Sequence, residues 1–176
     1  MIRRILALLL ATLSLFGLTC CKEEERLIPS TDPREGYFEE AIFGFSSDLI
    51  CASPSRIYYN TDDENVICAG DVTDCALVGN RKCNIFYTFE DGGLTEVSIF
   101  VSPNDGEDFL AACQAIDAIL SEYYGASQKI GASSSKYFNR YWTTPNSRVT
   151  ISGSSSEILL RYAPLDEGTD NEVNIS

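Results

Sequence analysis

Five cysteines in the body of the chain, two acidic clusters and one Ser-x-x-Lys run are the residues whose types and spacing could do chemistry. Histidine is absent altogether. That removes Ser-His-Asp and Cys-His catalysis, in which an imidazole carries the proton, and it removes imidazole as a metal ligand. Ser133-Ser134-Ser135-Lys136 places an amine one helical turn from a hydroxyl, where it could accept the hydroxyl proton. The run sits in a Gly-Ala-Ser stretch that reads as loop, and no Lys-Thr-Gly follows, so it takes no catalytic role. Asp62-Asp63-Glu64 and Asp105-Gly106-Glu107-Asp108 offer the oxygen ligands that Ca²⁺ takes, but neither follows EF-hand spacing. The second cluster reads better as acidic charge at a helix N-terminus. Cys68, Cys75 and Cys83 lack the Cys-x-x-Cys spacing of a zinc site. No catalytic residue, metal or cofactor is therefore assigned. A small surface hydrolase with paired carboxylates stays open as an alternative, because the separation of such a pair is set in space and not along the chain.

The other chemistry is at the N-terminus. Arg3 and Arg4 precede an apolar run from Ile5 to Leu18, broken by Thr12, Ser14 and Gly17. A helix that spans a bilayer needs about 20 apolar residues. This run is shorter and reads as a signal peptide over residues 1–20. Leu18-Thr19-Cys20-Cys21 then resembles the lipobox of bacterial lipoproteins, with Leu three before the lipidated Cys and small residues between. Cys21 fits that register. Cys20 fits less well, because Gly17 would stand where Leu is preferred. The resemblance implies an acylated Cys21, palmitate among its chains and the lipid bilayer as a partner, each buried CH₂ contributing about 0.8 kcal/mol to anchoring. Lys22-Glu23-Glu24-Glu25-Arg26 resembles the charged surface-export signal of Bacteroidetes-type lipoproteins, and reads equally as part of a solvated tether over residues 21–31. The expected location is the bacterial outer membrane, lipid-anchored, with periplasmic and cell-surface orientations both open.

Net charge sharpens this reading. At −13, the chain is unsuited to binding nucleic acid through phosphate contacts and is repelled by anionic head groups. An exported context permits disulfides. Cys113 falls on the apolar stripe of a predicted helix and reads as core. Cys68, Cys75 and Cys83 are the disulfide candidates, with Cys75–Cys83 favoured because it closes the segment around Gly79-Asn80.

These residues need elements to position them. Asp32-Pro33-Arg34-Glu35 has the pattern of a helix start, Asp as N-cap and Pro at N1, with Tyr37, Phe38, Ala41 and Ile42 following at helical spacing. Ser46-Ser47-Asp48 opens a second short helix that Ser53-Pro54 ends. Short strands are expected over 56–60 and 66–69. The clearest hairpin joins 84–89 to 94–101 through Asp91-Gly92-Gly93. Phe109, Cys113, Ile116, Leu120 and Tyr123 draw one stripe down a helix over 107–124 that Gly125 ends. Residues 126–136 read as loop. Strands follow at 137–142, 148–152 and 157–162, with turns at Pro145-Asn146 and Gly153-Ser154.

The expected fold is α+β, an antiparallel sheet with helices on one face, in an order that reads as a twofold repeat of helix plus β-meander. Residues 32–163 form the single domain, and 164–176 a disordered acidic tail. Ile42-Phe43-Gly44-Phe45-Ser46, with Ile50 beyond, resembles the opening of outer-membrane assembly accessory lipoproteins, which share a fold with secreted beta-lactamase inhibitor proteins. Tyr123-Tyr124-Gly125 before a Trp-bearing strand has the same character. The match covers some twenty residues and departs after Ile50, where Ser53-Pro54 replaces a Leu-Gly pair, so it carries no functional residue across. Alternation along 137–142 puts Tyr137 and Tyr141 on one strand face and Trp142 on the other. All three are candidates for a binding surface, and Trp142 is the one better explained as a core anchor. The leading expectation is a non-enzymatic, membrane-anchored module that binds or assembles with an envelope protein or glycan. The alternatives are the small hydrolase and an inhibitor of a secreted enzyme.

Overall fold

The computed structural model describes residues 32–54, 56–131, 137–154 and 157–165. They form a mostly β chain with some helix. Eight strands make one antiparallel sheet: β1 (Tyr59–Asn60), β2 (Val66–Val72), β3 (Cys83–Glu90), β4 (Gly93–Val101), β5 (Gln128–Lys129), β6 (Tyr137–Thr143), β7 (Ser147–Ser154) and β8 (Glu157–Pro164). Their spatial order is β1-β2-β3-β4-β8-β7-β6-β5. Each neighbour in sequence pairs with the next, and the two runs meet where β4 lies antiparallel to β8. The helices are α1 (Ser47–Cys51) and α2 (Phe109–Tyr124).

The alternation of side chains divides the sheet cleanly. One row crosses it as Ile67, Tyr87, Val97, Tyr162, Val149 and Trp142, and the next as Ala69, Ile85, Ile99, Leu160 and Ile151, all buried. This face is covered. The α2 stripe of Phe109, Cys113, Ile116 and Leu120 is buried against it, with α2 lying over β6 and β7. Residues 37–54 and 56–58 cover the remainder: Phe38 packs on Tyr162 with ring centroids 5.5 Å apart, and Tyr58 meets Tyr87 edge-on at 5.7 Å. Asp108 caps α2 by accepting from the backbone N–H groups of Leu110 and Ala111, the donors that a helix start leaves unpaired.

The helix expected from Asp32 onward is a single 3₁₀ turn, Pro33–Glu35. Its cap is as expected, with the Asp32 carboxylate accepting from Arg34 N–H at 3.0 Å. Propagation stops at Gly36, whose φ of +88° is left-handed. Gly36 sits under the β6–β7 turn: its carbonyl accepts from the Ser147 hydroxyl at 2.6 Å, and a Cβ there would stand 1.8 Å from Thr144 Oγ1. A tertiary contact thus overrides the helical spacing of Tyr37, Phe38, Ala41 and Ile42. Two smaller differences follow the same logic. Gly153 and Ser154 lie inside β7, paired with Ile158 and Glu157, and are not a turn. The stretch expected as loop contributes the two-residue β5, paired with Tyr141 and Arg140.

Gly36→Ala should lower unfolding free energy by about 2 kcal/mol or more, since Ala meets both the left-handed φ and the Thr144 hydroxyl. Urea denaturation reads this as a lower midpoint at unchanged slope.

Candidate functional site: the uncovered sheet face

The second face of the sheet carries the other half of the alternation. A row of Tyr59, Cys68, Phe86, Ser98, Arg161, Thr150, Tyr141 and Gln128 crosses all eight strands. A second row runs Asn84, Phe100, Leu159, Ser152, Asn139. Neither helix lies on it. Phe86 and Phe100 stack edge-to-face at 5.4 Å and stay half-buried, covered only by one another and their neighbours. At the flanks Tyr59 is 57% exposed and Tyr137 58% exposed. The Arg148 guanidinium stands 5.6 Å over the Tyr141 ring, and the Tyr141 hydroxyl donates to the Gln128 side-chain oxygen. Arg161 pairs with Glu96, whose other contact is the Ser98 hydroxyl. The face therefore offers apolar rings at its centre and both flanks, with polar groups already oriented between them. Exposed rings of this kind can cover a partner's apolar surface or stack on a sugar ring, while the hydroxyl and guanidinium groups give direction.

Of the expected binding residues, Tyr137 and Tyr141 lie on this face. Trp142 does not. It is 2% exposed on the covered face, where its indole N–H donates to the Gly125 carbonyl at 3.0 Å and its ring lies 6.3 Å from Tyr124. Burial of the largest apolar side chain, with its one donor satisfied, is a core role. Cys21 and the Ser133-to-Lys136 run lie outside the described residues.

The disulfide candidates separate in the same way. All five described cysteines are free thiols. Cys68 points to the uncovered face, opposite Phe86, whereas Cys83 is buried on the covered face. The register therefore sets Cys68 and Cys83 apart from one another. Cys75 and Cys83 are buried together, and the Cys83 thiol hydrogen-bonds the Cys75 sulfur, which lowers the Cys75 pKa and raises that of Cys83.

The acidic clusters are engaged in structure. Asp63 closes the β1–β2 turn by accepting from Asn65 N–H at 2.9 Å, and it lines, with Asp62 and Glu64, an open depression. Glu107 forms two contacts with the Arg81 guanidinium, which holds its carboxyl below the usual range. Among the described residues no group of three or more His, Cys, Asp or Glu side chains is disposed to hold a metal ion.

One constellation has no signature in sequence. Arg56, with its side chain only 8% exposed, bridges Glu39 and Asp74, and the guanidinium hydrogen bond lowers the Asp74 pKa. The three residues are far apart in the chain and follow no motif spacing. Glu39 takes a left-handed φ of +50° beside them. The cluster adjoins the half-buried Tyr58 and the buried Tyr87, whose hydroxyls desolvation pushes above their ordinary value.

Comparison with protein-family models, with curated proteins and with solved structures gives no match for this chain.

Trp142→Ala should destabilise by about 3–5 kcal/mol, whereas Tyr137→Ala should stay within about 0.5 kcal/mol of the parent. Guanidinium unfolding of the two variants distinguishes core from surface directly. The Arg81–Glu107 pair also predicts an acid limb. Because the folded Glu107 value is depressed, its contribution is complete above the ordinary Glu value and is lost as pH falls through the lower folded one. Arg81→Gln should flatten that part of a plot of unfolding midpoint against pH.

Proposed function

We propose that this chain is a lipid-anchored binding or assembly module of the bacterial outer membrane, tethered through acylated Cys21 and contacting an envelope protein or glycan through its uncovered sheet face. The observation that carries this reading is the row from Tyr59 to Gln128, an aromatic-bearing surface with no helix on it. The leader and the Leu18-to-Cys21 run support the anchor. The strong negative charge supports a domain held off the head groups, leaving its face free for a partner. The strand order supports a twofold repeat, in which a helical segment leads each four-strand meander and the two meanders meet at β4 and β8. The resemblance to outer-membrane assembly accessory lipoproteins and beta-lactamase inhibitor proteins points the same way, since those use a helix-backed sheet for protein binding. A carboxylate hydrolase would need acids free for proton transfer. The engagement of Glu39, Asp74, Glu96 and Glu107 with arginines favours binding over that chemistry.

Crosslinking on intact cells, followed by purification of the tagged chain and mass spectrometry, tests the proposal. A stoichiometric envelope protein is expected, captured by the parent and lost from a Tyr137→Ala/Tyr141→Ala variant that keeps the parent's unfolding midpoint. Cys21→Ala should move the chain to the soluble fraction. Capture that is indifferent to the two tyrosines overturns the assigned face. If no protein is captured and immobilised envelope glycans retain none of the chain, the binding role itself is overturned.

A further inference from the structure

Cys75 and Cys83 are the two buried cysteines that flank the tight turn between β2 and β3. Both are buried in the same core, at 1% and 2% exposure, and each thiol is close enough to act on the other's titration. The chain between them is held on several sides. Cys75 precedes the 3₁₀ turn Ala76–Val78, and its carbonyl accepts from Val78 and Asn80 N–H. Gly79 and Asn80 both take left-handed φ, turning the chain back on itself. Arg81 then folds inward, donating to the Val78 carbonyl at 2.9 Å and to Glu107 at the start of α2. Cys83 is anchored as the first residue of β3, opposite Val72 of β2. The backbone thus folds the segment between the two cysteines back on itself independently of any bond between them. The other thiols are placed elsewhere. Cys68 is on the far face, Cys51 is exposed on α1, and Cys113 lies in the α2 stripe with Arg81 and Asp108 as its charged neighbours.

We propose that Cys75 and Cys83 form an intramolecular disulfide in the exported protein, leaving Cys51, Cys68 and Cys113 as thiols. The proposal rests on the export reading above for its oxidising compartment, and on the fold for its pairing. The oxidant is a disulfide-bearing thiol oxidoreductase or an oxidised low-molecular-weight disulfide. One thiolate attacks the oxidant's disulfide, giving a mixed disulfide and releasing one oxidant thiol. The second thiolate displaces the other oxidant sulfur and closes the Cys75–Cys83 bond. Two electrons pass to the oxidant, whose disulfide becomes two thiols by taking up the protons that the cysteines release. Because both sulfurs end up buried, the exchange takes place before α2 and the Arg81–Glu107 pair close over the turn. The finished bridge is then shielded from reductants.

The test uses the full chain expressed with its own leader. Cells are lysed directly into denaturant containing N-ethylmaleimide, and the protein is purified for mass spectrometry. Cys51, Cys68 and Cys113 are expected to carry the label and Cys75 and Cys83 to lack it until a reductant is added. Trypsin cleavage after Arg81 or Lys82 should leave peptides that part only on reduction. Protein reduced in denaturant and refolded with the reductant present should melt about 5–10 °C below the oxidised protein, and a Cys75→Ser/Cys83→Ser variant should show no such difference. Label on Cys75 and Cys83 without reduction, in protein whose mass shows the leader removed, overturns the proposal. If the mass shows the leader retained, the export reading has failed, and the purified reduced chain is refolded from denaturant in the presence of glutathione disulfide. Closure of Cys75–Cys83 there upholds the pairing, while glutathione on Cys51 or Cys68 with Cys75 and Cys83 still free overturns it.

Discussion

Pairing of β4 with β8 is the constraint on which everything else depends. Val97 to Val101 and Tyr162 to Ile158 run side by side through the centre of the sheet, joining chain segments separated by the whole of α2 and three strands. Ile99 and Leu160, opposite one another, are fully buried. Closing so long a loop is entropically unfavourable, though the penalty grows only slowly with length. It is offset because the pairing makes a single covered face wide enough for α2 and residues 37–54 and 56–58 to lie on together. Neither meander alone would give Phe38 a place on Tyr162 or let Tyr124 reach the Tyr162 hydroxyl, 3.2 Å away.

Local signals read well where the interaction they encode is local. The β3–β4 hairpin follows from alternation and Asp91-Gly92-Gly93, and α2 from its stripe and Asp108 cap. The signals misled at Pro33 to Ile42, where a sound helix start met a contact from Thr144 and Ser147, 111 residues away in the case of Gly36 and Ser147. No spacing rule foresees that. Alternation separated Tyr137 and Tyr141 from Trp142, but which face is covered depends on where α2 packs. The sequence favoured Cys75 as the partner of Cys83 without separating Cys68 from the set, and it is the β2–β3 register that puts Cys68 on the opposite side of the sheet from Cys83. The Arg56 cluster gave no sign at all, since long-range ion pairs need no motif.

The acidic character of the chain takes a particular form. With twice as many acidic as basic residues, cations are scarce. Arg56 and Arg81, both nearly buried, are spent on fastening the covering segments to the sheet side of the molecule, while Arg148 and Arg161 sit on the uncovered face beside Tyr141 and Glu96. That face is thus less negative than the composition as a whole, and its rings are accessible without the repulsion that the rest of the surface would present to an acidic partner.

The two outermost strands, β1 and β5, are each only two residues long. A sheet edge is a template on which another chain can extend the hydrogen-bond ladder. Edges this short, one of them bearing Lys129, give a neighbouring copy little to zip onto. The broad aromatic face thus lies between two end strands that pair only two residues each of β2 and β6 and offer little ladder of their own to extend.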